Sequence, residues 1–90
     1  LQEIVDAVGD KIDIIVDGGI HRGTHMLKAL SMGAKAVSGG RLYLYALAAA
    51  GEKGVEKALN IYKSELERDM KLMGVTKISE LNRDNLRFRA

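Results

Sequence analysis

Two glycine-rich segments hold the residues of this sequence that are best suited to chemistry. Residues 17–23 are Asp-Gly-Gly-Ile-His-Arg-Gly, and residues 39–41 are Gly-Gly-Arg. Each segment follows a short apolar run and precedes a predicted helix, so each forms a turn from strand to helix. Glycines at such a turn let backbone N–H groups approach an anion, and the next helix directs its free N-terminal N–H groups at it. The pattern predicts two neighbouring turns that share one phosphate.

Arg41 is the strongest single candidate for contact with that phosphate. A guanidinium at a helix N-terminus offers two parallel charge-assisted hydrogen bonds, and the helix dipole adds to the attraction. A purely structural interpretation stays open for the glycines, since Gly18, Gly19, Gly39 and Gly40 could serve only as tight turns or as sites of close helix packing. Their tandem arrangement favours the phosphate.

The histidines and an arginine in the same region have competing interpretations. His21 and His25 lie four residues apart, which suggests a metal pair, but no third ligand of suitable spacing follows and His21 precedes the helix. We predict no metal site. Arg22 is as well suited to a structural ion pair as to a ligand contact, so it stays outside the predicted site. Cysteine is absent, which excludes disulfides and thiolate chemistry.

The elements that must position these residues alternate between helix and strand. In chain order, apolar spacing and glycine stops predict a helix ending at Gly9, a buried strand over 12–16, a helix capped by Thr24 and stopped by Gly33, a strand over 34–38, a short helix over 41–50 closed by Gly51, and a long amphipathic helix over 55–73 closed by Gly74. In the polar tail, the arginines indicate a solvated face or a subunit contact: Arg83, Arg87 and Arg89.

This order, with no proline, predicts an α/β fold with parallel strands. Two strands that are apolar on both faces would leave bare faces and unpaired edges, so we expect the complete fold to lie outside these residues. The chain fits the last two βα units plus tail of a TIM (β/α)8 barrel, where the loops after the last two strands and a short extra helix commonly form a phosphate site. The predicted domains are 1–74, the βαβα segment, and 75–90, the tail.

Composition and charge exclude several classes of function. The 14 Lys and Arg residues oppose 12 Asp and Glu, so a net charge of +2 does not indicate a nucleic-acid binder. The longest apolar stretch, residues 42–50, is too short to cross a bilayer. A cytoplasmic location is the default expectation. Leu1 is not an initiating Met and opens no basic, signal-like segment, so we expect the middle of a longer chain.

Beyond the two turns, an ordered series of motifs resembles one enzyme family. Residues 17–24 are followed by Lys-Ala-Leu at 28–30, Met-Gly-Ala at 32–34, Gly-Arg at 40–41, Gly-Val-Glu-Lys-Ala at 54–58 and Met-Gly-Val at 73–75. The series resembles the C-terminal end of the FMN-dependent α-hydroxy acid dehydrogenases and oxidases. Because it covers nearly the whole chain, it is much more specific than one glycine pair.

The resemblance implies a barrel in which FMN lies across the C-terminal ends of the strands and takes a hydride from the α-carbon of a 2-hydroxy acid. It implies no catalytic residue here, since the family's histidine base belongs to a segment before the strand that ends at Asp17. The implied partners are the 2-hydroxy acid, the remaining N-terminal part of the barrel and further copies in a tetramer. The implied cofactor-binding residues are Asp17, Gly18, Gly19, Ile20, His21, Gly40 and Arg41.

The sequence departs from the family's pattern near the turns. His21 replaces the first of two arginines, a phosphate ligand in the family, and His25 replaces an acidic residue. Leu42 replaces a common proline, and Gly39 stands where a larger apolar residue is usual. An imidazole offers no fork of hydrogen bonds, and its charge depends on pH. We expect FMN affinity to weaken as pH rises through the imidazole titration and the His21→Arg substitution to tighten binding.

Two other functions stay open from the sequence. One is another barrel enzyme with the same phosphate grip, such as an IMP dehydrogenase or a type 2 isopentenyl diphosphate isomerase, although Arg22-Gly23 and Gly40-Arg41 favour the α-hydroxy acid family. The other is a non-catalytic module that serves only as an assembly partner. Binding of FMN by the purified chain would separate a cofactor site from a purely structural role.

Overall fold

The computed structural model describes residues 1–87 and contains a small parallel sheet and three helices. Phe88, Arg89 and Ala90, and with them the prediction for Arg89, lie outside the described residues. In chain order the elements are helix α1 (Gln2–Val8), strand β1 (Ile15–Asp17), helix α2 (Gly23–Ser31), strand β2 (Ala36–Ser38) and helix α3 (Gly40–Leu72), followed by 3-10 turns at Ile78–Glu80 and Arg83–Asn85. The α/β class and the parallel pairing of the strands are confirmed.

Both strands are shorter than the sequence predicts. The first does not begin at residue 12, because the N–H groups of Lys11 and Ile12 both donate to the carbonyl oxygen of Val8 and prolong the turn after α1. The backbone N–H of Lys35 donates to the carbonyl of Ile14 at 2.8 Å, just before the two strands pair. The register then aligns Ile15 with Ala36, Val16 with Val37, and Asp17 with Ser38.

The two faces of this sheet differ in exposure. Side chains alternate between faces along a strand, so Ile15 and Asp17 share one face with their partners Ala36 and Ser38. All four of these residues are exposed, and Ile15 is 64% exposed. Val16 and Val37 point to the opposite face and are half-buried. The sheet face that carries Ile15 is therefore not covered by other parts of the described chain, and Ile15 makes it apolar at that point.

Helix α2 begins earlier than its predicted cap. Arg22, with an extended backbone (φ −140°, ψ 157°), occupies the N-cap position, and its side chain makes no capping hydrogen bond. The prediction that Thr24 caps the helix is wrong, because its Oγ1 donates to Oδ2 of Asp69 on α3 at 2.7 Å. The predicted stop is confirmed, since Gly33 follows the helix with φ of 112°.

Helix α3 joins the two helices predicted over 41–50 and 55–73. Its helical geometry is broken at Ala50 and at Gly51, which has φ of 64° and ψ of −147°. The predicted boundary at Gly51 is thus present as a kink within one element. Helix α3 ends at Leu72, and Gly74 follows with φ of 75°.

Buried apolar residues anchor the two glycine-rich turns and the C-terminal tail. Ile20 lies within the first glycine-rich segment, and Leu42 directly follows the second. Burial of these two side chains holds both segments against the core. In the tail, Leu81 is buried and Nη2 of Arg83 lies 2.7 Å from Oδ1 of Asp6 on α1. Arg83 therefore pairs within the chain. The remaining buried apolar residues are Leu27, Ala29 and Ala34. Among residues 1–87, none of the helices could span a membrane.

Candidate functional site

The two glycine-rich turns leave the sheet at the same edge. Asp17 ends β1 beside Ser38, which ends β2, and both strands run in the same direction. A Cβ built on Gly39 would lie 3.5 Å from the carbonyl oxygen of Ile20 and 3.6 Å from Cβ of Leu42, so the second turn is in van der Waals reach of the first. The expectation that the two turns are neighbours is confirmed.

A cleft of about 490 Å³ lies between these turns. Its volume is within the usual range for small-molecule sites. Its lining includes every residue predicted for cofactor binding together with Gly39 and Leu42, which were not in that set: Asp17, Gly18, Gly19, Ile20, His21, Gly39, Gly40, Arg41 and Leu42. Gly39 could be recognised from the sequence as a turn residue. The place of Leu42 at the cleft could not be predicted, because only the start of α3 shows that its position borders the cleft.

The first turn depends on backbone conformations that favour glycine. Gly18 has φ of 95° and Gly19 has φ of 74°, values that L side chains rarely adopt. A Cβ at Gly18, Gly19 or Gly40 would meet no other heavy atom within 4 Å. The glycines at 18 and 19 are therefore required by backbone conformation and not by protein packing, and the open space leaves their backbone accessible.

The N-terminus of α3 supplies hydrogen-bond donors to the same cleft. The N–H groups of the first helical residues, Gly40, Arg41 and Leu42, have no partner within the helix. The N-cap residue Gly39 has no side chain to cap them, and the first turn contains no acidic residue. These free donors and the positive end of the helix dipole favour an anion in the cleft.

The charged groups that line the cleft suit a ligand with both an anionic group and hydroxyl groups. Arg41 is exposed and forms no salt bridge with any of the described residues, so its guanidinium is available to a ligand. Asp17 contributes a carboxylate, which can accept hydrogen bonds from hydroxyl groups. Backbone donors, a guanidinium and one carboxylate together fit a ligand that carries both a phosphate and hydroxyl groups.

Arg22 points away from this set of residues and forms an ion pair with α3. Its Nε donates to Oε2 of Glu65 at 2.8 Å and to Oε1 at 3.2 Å, and its Nη2 lies 2.6 Å from Oε2. Glu65 is buried. The hydrogen bond from Arg22 lowers the pKa of Glu65 below its ordinary value of 4.5 although desolvation opposes this, and the same bond raises the pKa of Arg22. Of the two interpretations of Arg22, the structure favours the ion pair.

No local pattern identifies Glu65 as the partner of Arg22, since 43 residues separate the two. An acidic residue among the many charged residues of a long helix is usually a solvated one. Gly23 contributes to the same contact, because a Cβ there would lie 2.5 Å from Cβ of Glu65. The glycine allows α2 and α3 to approach closely.

The two histidines interact with each other at the edge of the cleft. The backbone N–H of His21 donates to Nδ1 of His25 at 3.1 Å, and the ring centroids are 6.4 Å apart at an angle of 76°. His21 lines the cleft and His25 does not. Within the part of the chain that the structure describes, no group of three or more His, Cys, Asp or Glu residues could hold a metal ion.

A second depression of about 540 Å³ lies along residues 53–68 of α3. Side chains of one helix form it, with Lys53, Lys57 and Arg68 beside Glu56 and Glu65. It has no glycine turn and no helix N-terminus directed into it. The smaller cleft at the strand ends is therefore the better candidate site, although the groove on α3 is larger.

The fold and the cleft define an α/β protein whose candidate ligand site lies at the carboxyl ends of parallel strands. The model of the FMN-dependent dehydrogenase family matches residues 1–88, and the chain belongs to this family. The family predicted from the motif series is confirmed. FMN is accordingly the cofactor of the family to which the chain belongs.

Curated relatives agree with this family. The chain is 54% identical over 80 residues to an L-lactate dehydrogenase (cytochrome) of Wickerhamomyces anomalus, a match that covers 89% of the chain and 14% of the relative. It is 45% identical over 87 residues to a peroxisomal (S)-2-hydroxyacid oxidase of Arabidopsis thaliana, covering 97% of the chain and 24% of the relative.

Solved structures give the same result. The flavin-binding domain of baker's yeast flavocytochrome b2 is similar with a TM-score of 0.84 and 48% identity, covering 92% of this chain and 22% of that one. A soluble mutant of the membrane-associated (S)-mandelate dehydrogenase from Pseudomonas putida has a TM-score of 0.92 at 36% identity, covering 98% of this chain and 25% of that one. The chain therefore spans a quarter or less of the length of these relatives.

Proposed function

We propose that this chain is the FMN phosphate-binding segment of an oxidoreductase that converts a 2-hydroxy acid into a 2-oxo acid. The observation that carries the proposal is the single cleft that combines both glycine turns, the N-terminus of α3 and Arg41. The names of the relatives, a lactate dehydrogenase and a 2-hydroxyacid oxidase, support the substrate class. FMN, when bound, supplies the acceptor for the hydride that leaves the substrate.

Each part of the cleft has a distinct role in this proposal. The free N–H groups at the start of α3 and the turn at Gly18 and Gly19 surround the phosphate, and Arg41 adds a charge-assisted fork. His21 contributes one further hydrogen bond. The carboxylate of Asp17 accepts hydrogen bonds from ribityl hydroxyl groups. Glycine at 18 and 19 keeps side chains away from the ligand, as expected for close approach of a backbone to a phosphate.

We assign no catalytic residue to this chain. A general base must lie within hydrogen-bond reach of the proton it removes. His25 already accepts a backbone N–H, and His21 belongs to the turn that would hold the phosphate. We therefore expect the catalytic base to belong to another segment of the enzyme.

The fold proposed for the complete enzyme is a TIM barrel, with β1 and β2 as its last two strands. The uncovered face at Ile15 supports this, because the strands of a barrel bury one face in the barrel interior. The domain limits at residues 74 and 75, the tetramer and the cytoplasmic location stay predictions. The family match speaks against an IMP dehydrogenase or a type 2 isopentenyl diphosphate isomerase. The FMN-binding test below distinguishes a cofactor site from an assembly module that binds no FMN.

The test compares FMN with riboflavin, which lacks only the phosphate. Titration of the purified chain, followed by quenching of flavin fluorescence, should show FMN binding and much weaker riboflavin binding. The same titration is then made on a chimera, in which the chain replaces the matching segment of the flavin-binding domain of baker's yeast flavocytochrome b2. The rest of that domain supplies the remaining barrel. Equal affinity for both flavins in the chimera would contradict a phosphate site in this segment.

The matched variants are Arg41→Ala and Arg87→Ala, since both arginines are exposed but Arg87 lies in the tail. Loss of charge-assisted hydrogen bonds should weaken FMN binding by roughly ten- to a hundredfold in Arg41→Ala. The Arg41→Ala substitution should leave riboflavin binding nearly unchanged. Arg87→Ala should behave like the original chain, and a similar loss in both variants would indicate a general charge effect.

A further inference from the structure

The hydrogen bond between the two histidines assigns a protonation form to His25. Nδ1 of His25 accepts the backbone N–H of His21 at 3.1 Å. A charged imidazole carries a proton on both nitrogens and cannot accept there, so the bond requires a neutral ring with its proton on Nε2. This tautomer is inferred from the hydrogen bond itself.

The position of this bond links α2 to the cleft. His25 is the third residue of α2, and its ring reaches back past the N-cap residue Arg22 to the residue before it. The side chain of Arg22 is engaged with Glu65 and does not cap the helix. His25 thus adds a side-chain hydrogen bond to the backbone at the entry into α2. Since His21 lines the cleft, the same bond holds one side of the cleft.

The charge of the acceptor matters at this position. A carboxylate at residue 25 would accept the same N–H group but would place a negative charge beside a cleft already lined by Asp17. A neutral imidazole accepts the bond without that charge.

We propose that His25 is a positioning residue of the cleft. Its neutral, Nε2-protonated ring fixes the backbone at His21 without adding negative charge, and His21 is left to face the bound phosphate. This inference rests on the proposed function for its effect on FMN. The fixation of the turn, however, is a property of the chain alone.

Two observations on the chain without FMN test the fixation. Correlation of ring nitrogens and protons by NMR should show the Nε2–H tautomer at His25, and the amide proton of His21 should exchange slowly. The His25→Asn substitution places a carbonyl oxygen near the position of Nδ1 and should keep His21 protected. The His25→Gln substitution carries its amide nearer to the position of Nε2 and should release it. An Nδ1–H tautomer, or equal protection in both variants, would overturn the proposal.

The effect on affinity is measured separately by FMN titration of the chimera. His25→Gln should weaken binding by roughly two- to tenfold relative to His25→Asn, the span expected for one net hydrogen bond. Lys28→Gln, an exposed substitution on α2, controls for general effects on the helix. If the original chimera binds FMN and both His25 variants bind it equally, the positioning role is wrong. If the original does not bind FMN, the proposed function fails while the amide exchange still decides the role of His25.

Discussion

At the residue scale, the cleft pairs one permanent cation, Arg41, with one imidazole, His21. We predict that His21→Arg tightens FMN binding by about tenfold, since an arginine can form a fork of charge-assisted hydrogen bonds where an imidazole forms one. His21 is exposed, so the longer side chain has room.

Flavin quenching, with Lys28→Arg as a control for an added guanidinium, measures this gain. An equal gain in Lys28→Arg would indicate a general effect of the guanidinium. No gain in His21→Arg would mean that residue 21 does not reach the ligand.

Residues of this region differ in how far their roles could be predicted from the sequence. The glycine pair and Arg41 were predictable, because turns between strand and helix have a local signature and parallel strands end at one edge of a sheet. The roles of His25 and Glu65 were not. The role of His25 depends on the rotamer of its ring, and the role of Glu65 depends on a tertiary contact with Arg22 across 43 residues.

At the element scale, the position of α2 depends on its close contact with α3. A Cβ on Gly23 would lie 2.5 Å from Cβ of Glu65 and 2.6 Å from the backbone nitrogen of Leu66. We predict that Gly23→Ala lowers the free energy of unfolding by about 1–3 kcal/mol, because backbone atoms of α3 must move. Chemical denaturation followed by circular dichroism provides the measurement.

Gly40→Ala is the matched control for that substitution. Gly23 and Gly40 are each the first residue of a helix, but a Cβ at Gly40 would meet nothing within 4 Å. The control should be neutral or stabilising by up to about 1 kcal/mol, since alanine reduces the entropy of the unfolded chain. Equal destabilisation by both substitutions would attribute the effect to the helix start instead of the contact between helices.

The helices were easier to predict than the strands for a physical reason. Helical spacing and glycine stops extend over many residues, so α2 and the kink at Gly51 were found from sequence. The strands are short, and their first residues are decided by competing hydrogen bonds, such as those from Lys11 and Ile12 to Val8. The N-cap of α2 was misplaced because Thr24 instead bonds to Asp69, a contact between elements.

At the scale of the whole molecule, the uncovered face of the sheet gives the clearest consequence. Ile15 lies in β1 and is 64% exposed, while Ile12 lies in the preceding turn and is 60% exposed. In the 90-residue chain, Ile15→Lys and Ile12→Lys should each change the free energy of unfolding by less than about 0.5 kcal/mol, as expected for exposed positions.

The result should differ in the chimera with the rest of the barrel. If β1 is a barrel strand, Ile15 becomes buried there, and Ile15→Lys should cost about 3 kcal/mol or more and reduce FMN content, because an unpaired charge would enter the core. Ile12→Lys should remain close to neutral. Unfolding curves and flavin absorbance of the purified chimeras provide both measurements. Tolerance of lysine at residue 15 in the chimera would show that this face stays in water, and the assignment of β1 to the interior of a barrel would then be wrong.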